Sequence, residues 1–138
     1  MMTKRNERPI NLVDYRALAE IRRGMRQFLE FSAKAAEDAG LTPGQHQGLL
    51  AIKAMPEPVT VGALADWLGI KPHSAVGLVD RLARLKLIAR ARDRKDRRRV
   101  HLRLKPEAER KLAALSRVHR AELRRFSRAL APLLRALR

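Results

Sequence analysis

The chain of 138 residues contains no cysteine. That excludes disulfides, thiolate metal sites and thiol-based redox sensing, and it fits an intracellular setting. Aromatic residues are scarce at 4%, which argues against binding by base stacking on exposed rings. No apolar run approaches bilayer-spanning length, and the N-terminus lacks the hydrophobic centre of a signal peptide. The expected location is therefore the cytoplasm, with no membrane partner. Acidic residues are also in short supply: 14 stand against 31 lysines and arginines, for a formal net charge of +17. An imbalance of this size calls for a polyanionic partner, nucleic acid first and anionic membrane second.

Signals of catalysis are missing as well. The four histidines, His46, His73, His101 and His119, offer no pair at metal-ligand spacing on one helix. No Ser-His-Asp set, paired carboxylates or Gly-rich phosphate loop stands out. Neither an enzyme nor a metal or cofactor is expected. A chain of this length makes one domain, and 46% hydrophobic residues provide it with a core.

What the chain does have is a dense basic run. Residues 90–99 read RARDRKDRRR, with seven basic residues and two acidic ones, Asp93 and Asp96. Ile88-Ala89-Arg90-Ala91-Arg92 before it and Val100-His101-Leu102-Arg103-Leu104 after it carry the two-residue period of half-buried strands. The pattern predicts a hairpin with its charges on the tip, shaped to touch phosphates or enter a groove of negative potential.

Helical periods surround the hairpin. Met1 to Pro9 are polar and expected to be frayed. From Asn11 to about Asp38, Leu18, Ile21, Met25, Phe28 and Ser32 recur at steps of three and four, and Gly40 ends the stripe. Thr42-Pro43-Gly44-Gln45 has the form of a capping box with Pro at the first helical position. That helix carries Leu49, Leu50, Ile52 and Met55 before Pro56 and Pro58 stop it. Thr60 can cap a short helix through Leu64, Ala65 and Leu68 to Gly69. Pro72 then opens another helix to about Leu85, so the pair reads as a helix-turn-helix.

The helix from Pro72 divides cleanly when placed at 100° per residue. Leu78, Leu82, Ala75, Val79, Ala83 and Val76 share one apolar arc; Asp80, His73, Arg84, Gly77, Arg81 and Ser74 fill the other. Ser74 and Gly77 are small enough for close approach to DNA. Past the hairpin, Pro106 opens a helix with Glu107 and Glu109 in its first turn. Its stripe of Leu112, Leu115, His119, Leu123, Phe126, Leu130, Leu133 and Leu137 runs nearly to the end, with Pro132 expected to kink or interrupt the last turns. Two long stripes exceed what the small middle could cover, which suggests a dimer joined through both chain ends.

A helix-turn-helix followed by a two-stranded wing is a winged helix, and here the chain resembles the multiple-antibiotic-resistance regulator (MarR) family. The resemblance rests on Leu64-Ala65, on Leu78-Val79-Asp80-Arg81-Leu82 and on Asp93-Arg94-Lys95-Asp96-Arg97-Arg98. It implies a homodimer on a pseudo-palindromic operator of double-stranded DNA, with the Pro72 helix in the major groove and the wing at the minor groove. Arg98 would insert there and Asp96 would orient it. A guanidinium suits a narrow, negative groove. The resemblance also implies a small, often aromatic or phenolic, effector, with Tyr15, Met25 and Trp67 as candidate lining. Two departures are local. Lys86 stands where the family commonly has Gly before the first wing strand, and the Thr cap usual before the last helix is missing.

The expected fold is mainly α with a small β-hairpin wing. It is a single domain over 1–138, with a winged-helix lobe at about 42–105 and dimerisation helices at about 10–40 and 106–138. The expected DNA contacts are His73, Ser74, Gly77, Arg81, Arg84, Arg94, Lys95, Arg97, Arg98 and Arg99, with Asp96 as the orienting residue. Simpler roles stand beside these: Ser74 bonding its own backbone, Arg81 and Arg84 serving solubility. Asp80 reads as structural, paired with a wing arginine, and Trp67 as core or interface packing. The expected function is a ligand-responsive, sequence-specific repressor. The alternatives are a non-specific architectural DNA- or RNA-binding protein and a helical protein docked on anionic membrane.

Overall fold

The computed structural model describes residues 8–138. In chain order they form α1 (Leu12–Asp38), α2 (Pro43–Ala54), α3 (Val61–Leu68), α4 (Pro72–Arg84), β1 (Ile88–Arg92), β2 (Val100–Leu104) and α5 (Pro106–Ala136). They fall into two compact units: Ser32–Val118, and the chain up to Phe31 together with His119–Arg138.

The Ser32–Val118 unit is a winged-helix lobe. Thr42 and Gln45 close a reciprocal capping box at α2, and the Thr60 hydroxyl accepts from the Ala63 amide at α3. Leu49, Leu64 and Leu82, from α2, α3 and α4, are wholly inaccessible to solvent. Each contributes on the order of 2 kcal/mol by leaving water. Leu112 and Leu115 of α5 belong to the same core.

Helices α1, α3 and α4 end alike. The amides of Leu41, Ile70 and Leu87 reach back to the carbonyls of Ala36, Ala65 and Leu82, and the preceding residue is left-handed each time. At two ends that residue is glycine, Gly40 and Gly69; at the third it is Lys86, with φ of 60°. The sharp stop it imposes aims the chain into β1.

The hairpin strands have the bounds expected from the sequence, paired antiparallel from Ile88↔Leu104 to Arg92↔Val100. Their burial differs from the expected alternation. In β1 only Ile88 is buried, and the four residues after it are exposed. The base is secured by the Leu102 amide on the Val59 carbonyl at 2.8 Å and the Lys105 amide on the Leu87 carbonyl at 2.8 Å. In β2 Leu102 is buried and Val100, His101 and Leu104 are half-buried, so the cover lies on that strand and is lost along β1.

In the other unit, Asn11 and Asp14 cap the start of α1 reciprocally, at 3.0 and 3.1 Å. Asp14, with a side chain 1% exposed, takes both terminal nitrogens of Arg8. Arg8 also donates to the main-chain oxygens of Ala136 and Arg138. The expectation of a frayed start is thereby corrected at Arg8, which is tied down because a buried carboxylate must be paired; residues 1–7 lie outside the described residues. Further along, Phe28 stacks on Phe126 and meets His119 edge-on, as does Phe31. A Cβ at Gly24 would lie 2.6 Å from Phe126, so only glycine admits the ring. Pro132 does not interrupt α5, which runs to Ala136. Pro132 is exposed, and the carbonyl it deprives of a donor, near a helix end, has water as a substitute.

Candidate nucleic-acid interface

Helix α4 presents one face to the lobe and one to solvent. Ala75, Leu78, Val79 and Leu82 are buried, while His73, Ser74, Arg81 and Arg84 are exposed and Gly77 is half-buried. Val76 is 49% exposed, a correction to its place in the apolar arc: it sits at the edge, where the core no longer reaches. Over Gly77 lies the Arg81 guanidinium, 3.5 Å from where a Cβ would be. No side chain caps the first turn of α4, and its partial positive charge favours anions.

Asp80 faces Arg90 across 2.7 Å. This ion pair ties the exposed side of α4 to the hairpin. Asp80 is thereby a fastening between two elements, since a free carboxylate would repel phosphate.

The loop between β1 and β2 is organised by its two aspartates. Asp93 Oδ1 accepts from the Lys95 amide at 3.0 Å, and Asp96 Oδ1 accepts from the Arg98 amide at 3.1 Å. Both are two-residue Asx turns. The amides of Asp93 and Arg99 bond the carbonyls of Arg99 and Asp96, and Arg92 Nη1 reaches the Arg97 carbonyl. Asp96 Oδ1 also takes Arg98 Nε at 3.2 Å. The main-chain and side-chain N–H groups of Arg98, helped by the charge of Arg99, hold the Asp96 carboxyl below the usual carboxylate range. Arg98 is held at Nε, yet its side chain is 92% exposed and its terminal nitrogens bond nothing described. A guanidinium fixed at one edge and open at the other is ready for an external anion. Arg94, Lys95, Arg97 and Arg99 are exposed around it.

Arg98 and Arg99 also border a groove of about 650 Å³ with Pro58, Thr60, Val61 and Gly62 at the start of α3. Sequence reasoning overlooked this edge, along with the parts of Arg92 and His101, whose Nε2 lies 3.6 Å from Asp93; the pairing of Asp80 with a wing arginine was expected, and Arg90 is that arginine. The matching two-residue spacings, Asp93 to Lys95 and Asp96 to Arg98, were the available signal for the loop. Trp67 is not core: it is 62% exposed and flanks a groove of about 450 Å³ with Leu50 and Ala54. Tyr15 and Met25 are also more than half exposed. Among the described residues no cluster could hold a metal, and no helix is long and apolar enough to cross a membrane.

A winged helix with this loop has a known pattern, and the model of the MarR family matches residues 39–99. Over those residues the lobe is similar to the MarR family. Solved structures share the wider fold. YusO from Bacillus subtilis is 24% identical, covering 94% of this chain and 92% of its own, with a TM-score of 0.70. MepR of S. aureus in its complex with DNA is 21% identical over 80% and 81%, with a TM-score of 0.70. CouR from Rhodococcus jostii RHA1, bound to p-coumaroyl-CoA, is 26% identical over 74% and 71%, with a TM-score of 0.64. MarR proteins are regulators of transcription, not enzymes. No curated protein sequence matches the chain.

Proposed function

We propose that this MarR-type protein is a cytoplasmic homodimeric repressor that binds a pseudo-palindromic DNA operator and loosens its grip when a small ligand binds. The observation that carries the DNA reading is Arg98, held by Asp96 at its inner edge and open at its outer edge. A planar cation kept in place before binding loses little freedom on entering a narrow groove. His73, Ser74 and Gly77 supply the short polar start of α4 for base edges, and Arg81 and Arg84 supply phosphate contacts.

Homodimerisation is supported by the unit formed at the chain ends. There Leu18, Met25, Leu29, Leu123 and Leu134 are about half exposed or more, an apolar display that marks a protein–protein face. The effector is supported by analogy with CouR, whose structure holds p-coumaroyl-CoA.

Selection of bound fragments from random duplex DNA tests the proposal. Recovery of an inverted repeat is expected. On that repeat, Arg98→Ala should lose affinity by several kcal/mol at most and keep its fold, since a wing tip carries little core. Fragments without a shared sequence would favour the architectural alternative, and unchanged binding by Arg98→Ala would remove the wing from the interface.

A further inference from the structure

Most of the excess positive charge lies in two stretches. Residues 88–105 hold nine basic side chains against two acidic ones, and residues 106–138 hold nine against three. The wing accounts for the first. The second lies on α5, where neither the core nor the proposed reading of DNA uses it.

Its arrangement within the unit that contains His119–Arg138 is specific. At 100° per residue, Arg120, Arg124, Arg128 and Arg135 fall within an arc of about 80°. Between residues 119 and 136 that arc contains one other residue, Ala131. All four arginines are exposed, and none forms an ion pair among the described residues. The apolar stripe of Leu123, Phe126, Leu130 and Leu133 lies on the opposite side of the helix, so covering the stripe leaves the arginines in solvent. The register continues upstream in sequence to Arg117 and Arg110.

An exposed helix ordinarily mixes its charges, and α1 in the same unit does so. Arg23 pairs with Glu20 and Arg26 with Glu30, each at 3.8 Å. Arg125 of α5, outside the arc, pairs with Glu122 at 3.5 Å. The four-arginine face has no such partner, and its neighbours at four-residue steps, Arg120 with Arg124 and Arg124 with Arg128, repel one another and weaken the helix. A polyanion running along the helix would turn that repulsion into attraction.

We propose that this arginine face of α5 is a second DNA-binding surface, taking the phosphate backbone of a duplex without regard to sequence. It shares no residue with α4 or the wing. Charge complementarity favours a duplex. A bilayer is disfavoured because an interfacial helix needs large apolar residues beside its cations, and the arc offers only Ala131. Arginine, with its fork of donors, suits phosphate oxygens in particular.

The test uses the full chain and a short duplex of random sequence, with affinity measured across a salt series. Three triple variants are compared: Arg120→Gln, Arg124→Gln, Arg128→Gln on α5; Arg97→Gln, Arg98→Gln, Arg99→Gln on the wing; and Arg16→Gln, Arg22→Gln, Arg26→Gln on α1. Glutamine keeps helix propensity, and circular dichroism checks the fold. If three phosphate contacts are lost, the slope of log K against log salt becomes shallower by about 2.7. That change is expected for the α5 variant and not for the α1 variant, which removes the same charge. An unchanged slope for the α5 variant, or equal changes for α5 and α1, overturns the proposal. So does binding to phosphatidylserine vesicles that the α5 variant loses while its duplex slope stays at the wild-type value. The wing variant keeps the two readings apart: an unchanged slope there removes the wing from DNA and leaves the α5 result standing.

Discussion

Lys86 closes α4 in a left-handed conformation that its own side chain resists. Such a conformation costs a non-glycine residue about 1–2 kcal/mol, and glycine gives back about 0.5–1 kcal/mol through its freedom in the unfolded chain. Lys86→Gly should therefore raise stability by about 0.5–1 kcal/mol, read as a higher denaturant midpoint with unchanged slope. The strain was legible beforehand, because Lys86 occupies a place where glycine was expected. Arg8 was not legible: its partner Asp14 sits in a helical pattern, and nothing in the spacing says that carboxylate is buried. Asp96 makes a second prediction at this scale. Its carboxyl is held below its ordinary range, so its bonds to Arg98 persist above that range and break as pH falls through the lowered value. The Arg98 amide resonance should shift only in that acid window. Asp96→Ala should weaken DNA binding while lowering the unfolding midpoint only slightly, because its bonds lie in an exposed loop, whereas Asp96→Asn keeps an acceptor oxygen and should bind better than Asp96→Ala.

Among the elements, the start of α1 is the most heavily braced. Hydrogen bonds from Arg8 first, and from the Asn11 amide second, lower the Asp14 pKa to about 2. A carboxylate depressed by folding stabilises the folded state above its unfolded pKa of 3.8 and loses that contribution as pH falls through about 2. The brace is thus intact at neutral pH and opens only in strong acid, which a carboxyl titration by NMR would read. Asn11→Ala removes the cap and should cost about 1 kcal/mol in thermal or denaturant unfolding. Caps and strands at this scale were legible from Thr42, Thr60, Ile88 and Val100, since local spacing decides them. What β1 buries was not, because two-residue alternation does not reveal whether a layer exists to cover the strand. Pro132 misled for a related reason: proline is disruptive where its lost hydrogen bond is buried, and here it is exposed.

For the whole molecule, dimerisation and charge are the quantities to test. Leu123→Glu places a carboxylate on the exposed apolar stripe of α5 and should shift the proposed dimer to monomer in sedimentation. The winged-helix lobe should keep its helical signal, because Leu123 is not part of that core. A variant that stays dimeric would remove this stripe from the subunit interface. Binding to any duplex should fall steeply with added salt, as counterions displaced by the protein return to the phosphates. The winged helix and its basic tip were visible in the sequence as periodicity and composition. The groove shared by Arg98, Arg99 and the start of α3 was not, because it joins residues nearly forty positions apart.

Arg8 has one further consequence, for protein engineering. Its guanidinium sits beside the carboxylate of Asp14 and the main-chain oxygens of Ala136 and Arg138, so the two extremities of the described chain are neighbours. A short flexible tether between them, with a new opening cut into the exposed turn after α2, would yield a circular permutant with every helix retained. The order in which this polypeptide is synthesised is then one of several compatible with its architecture.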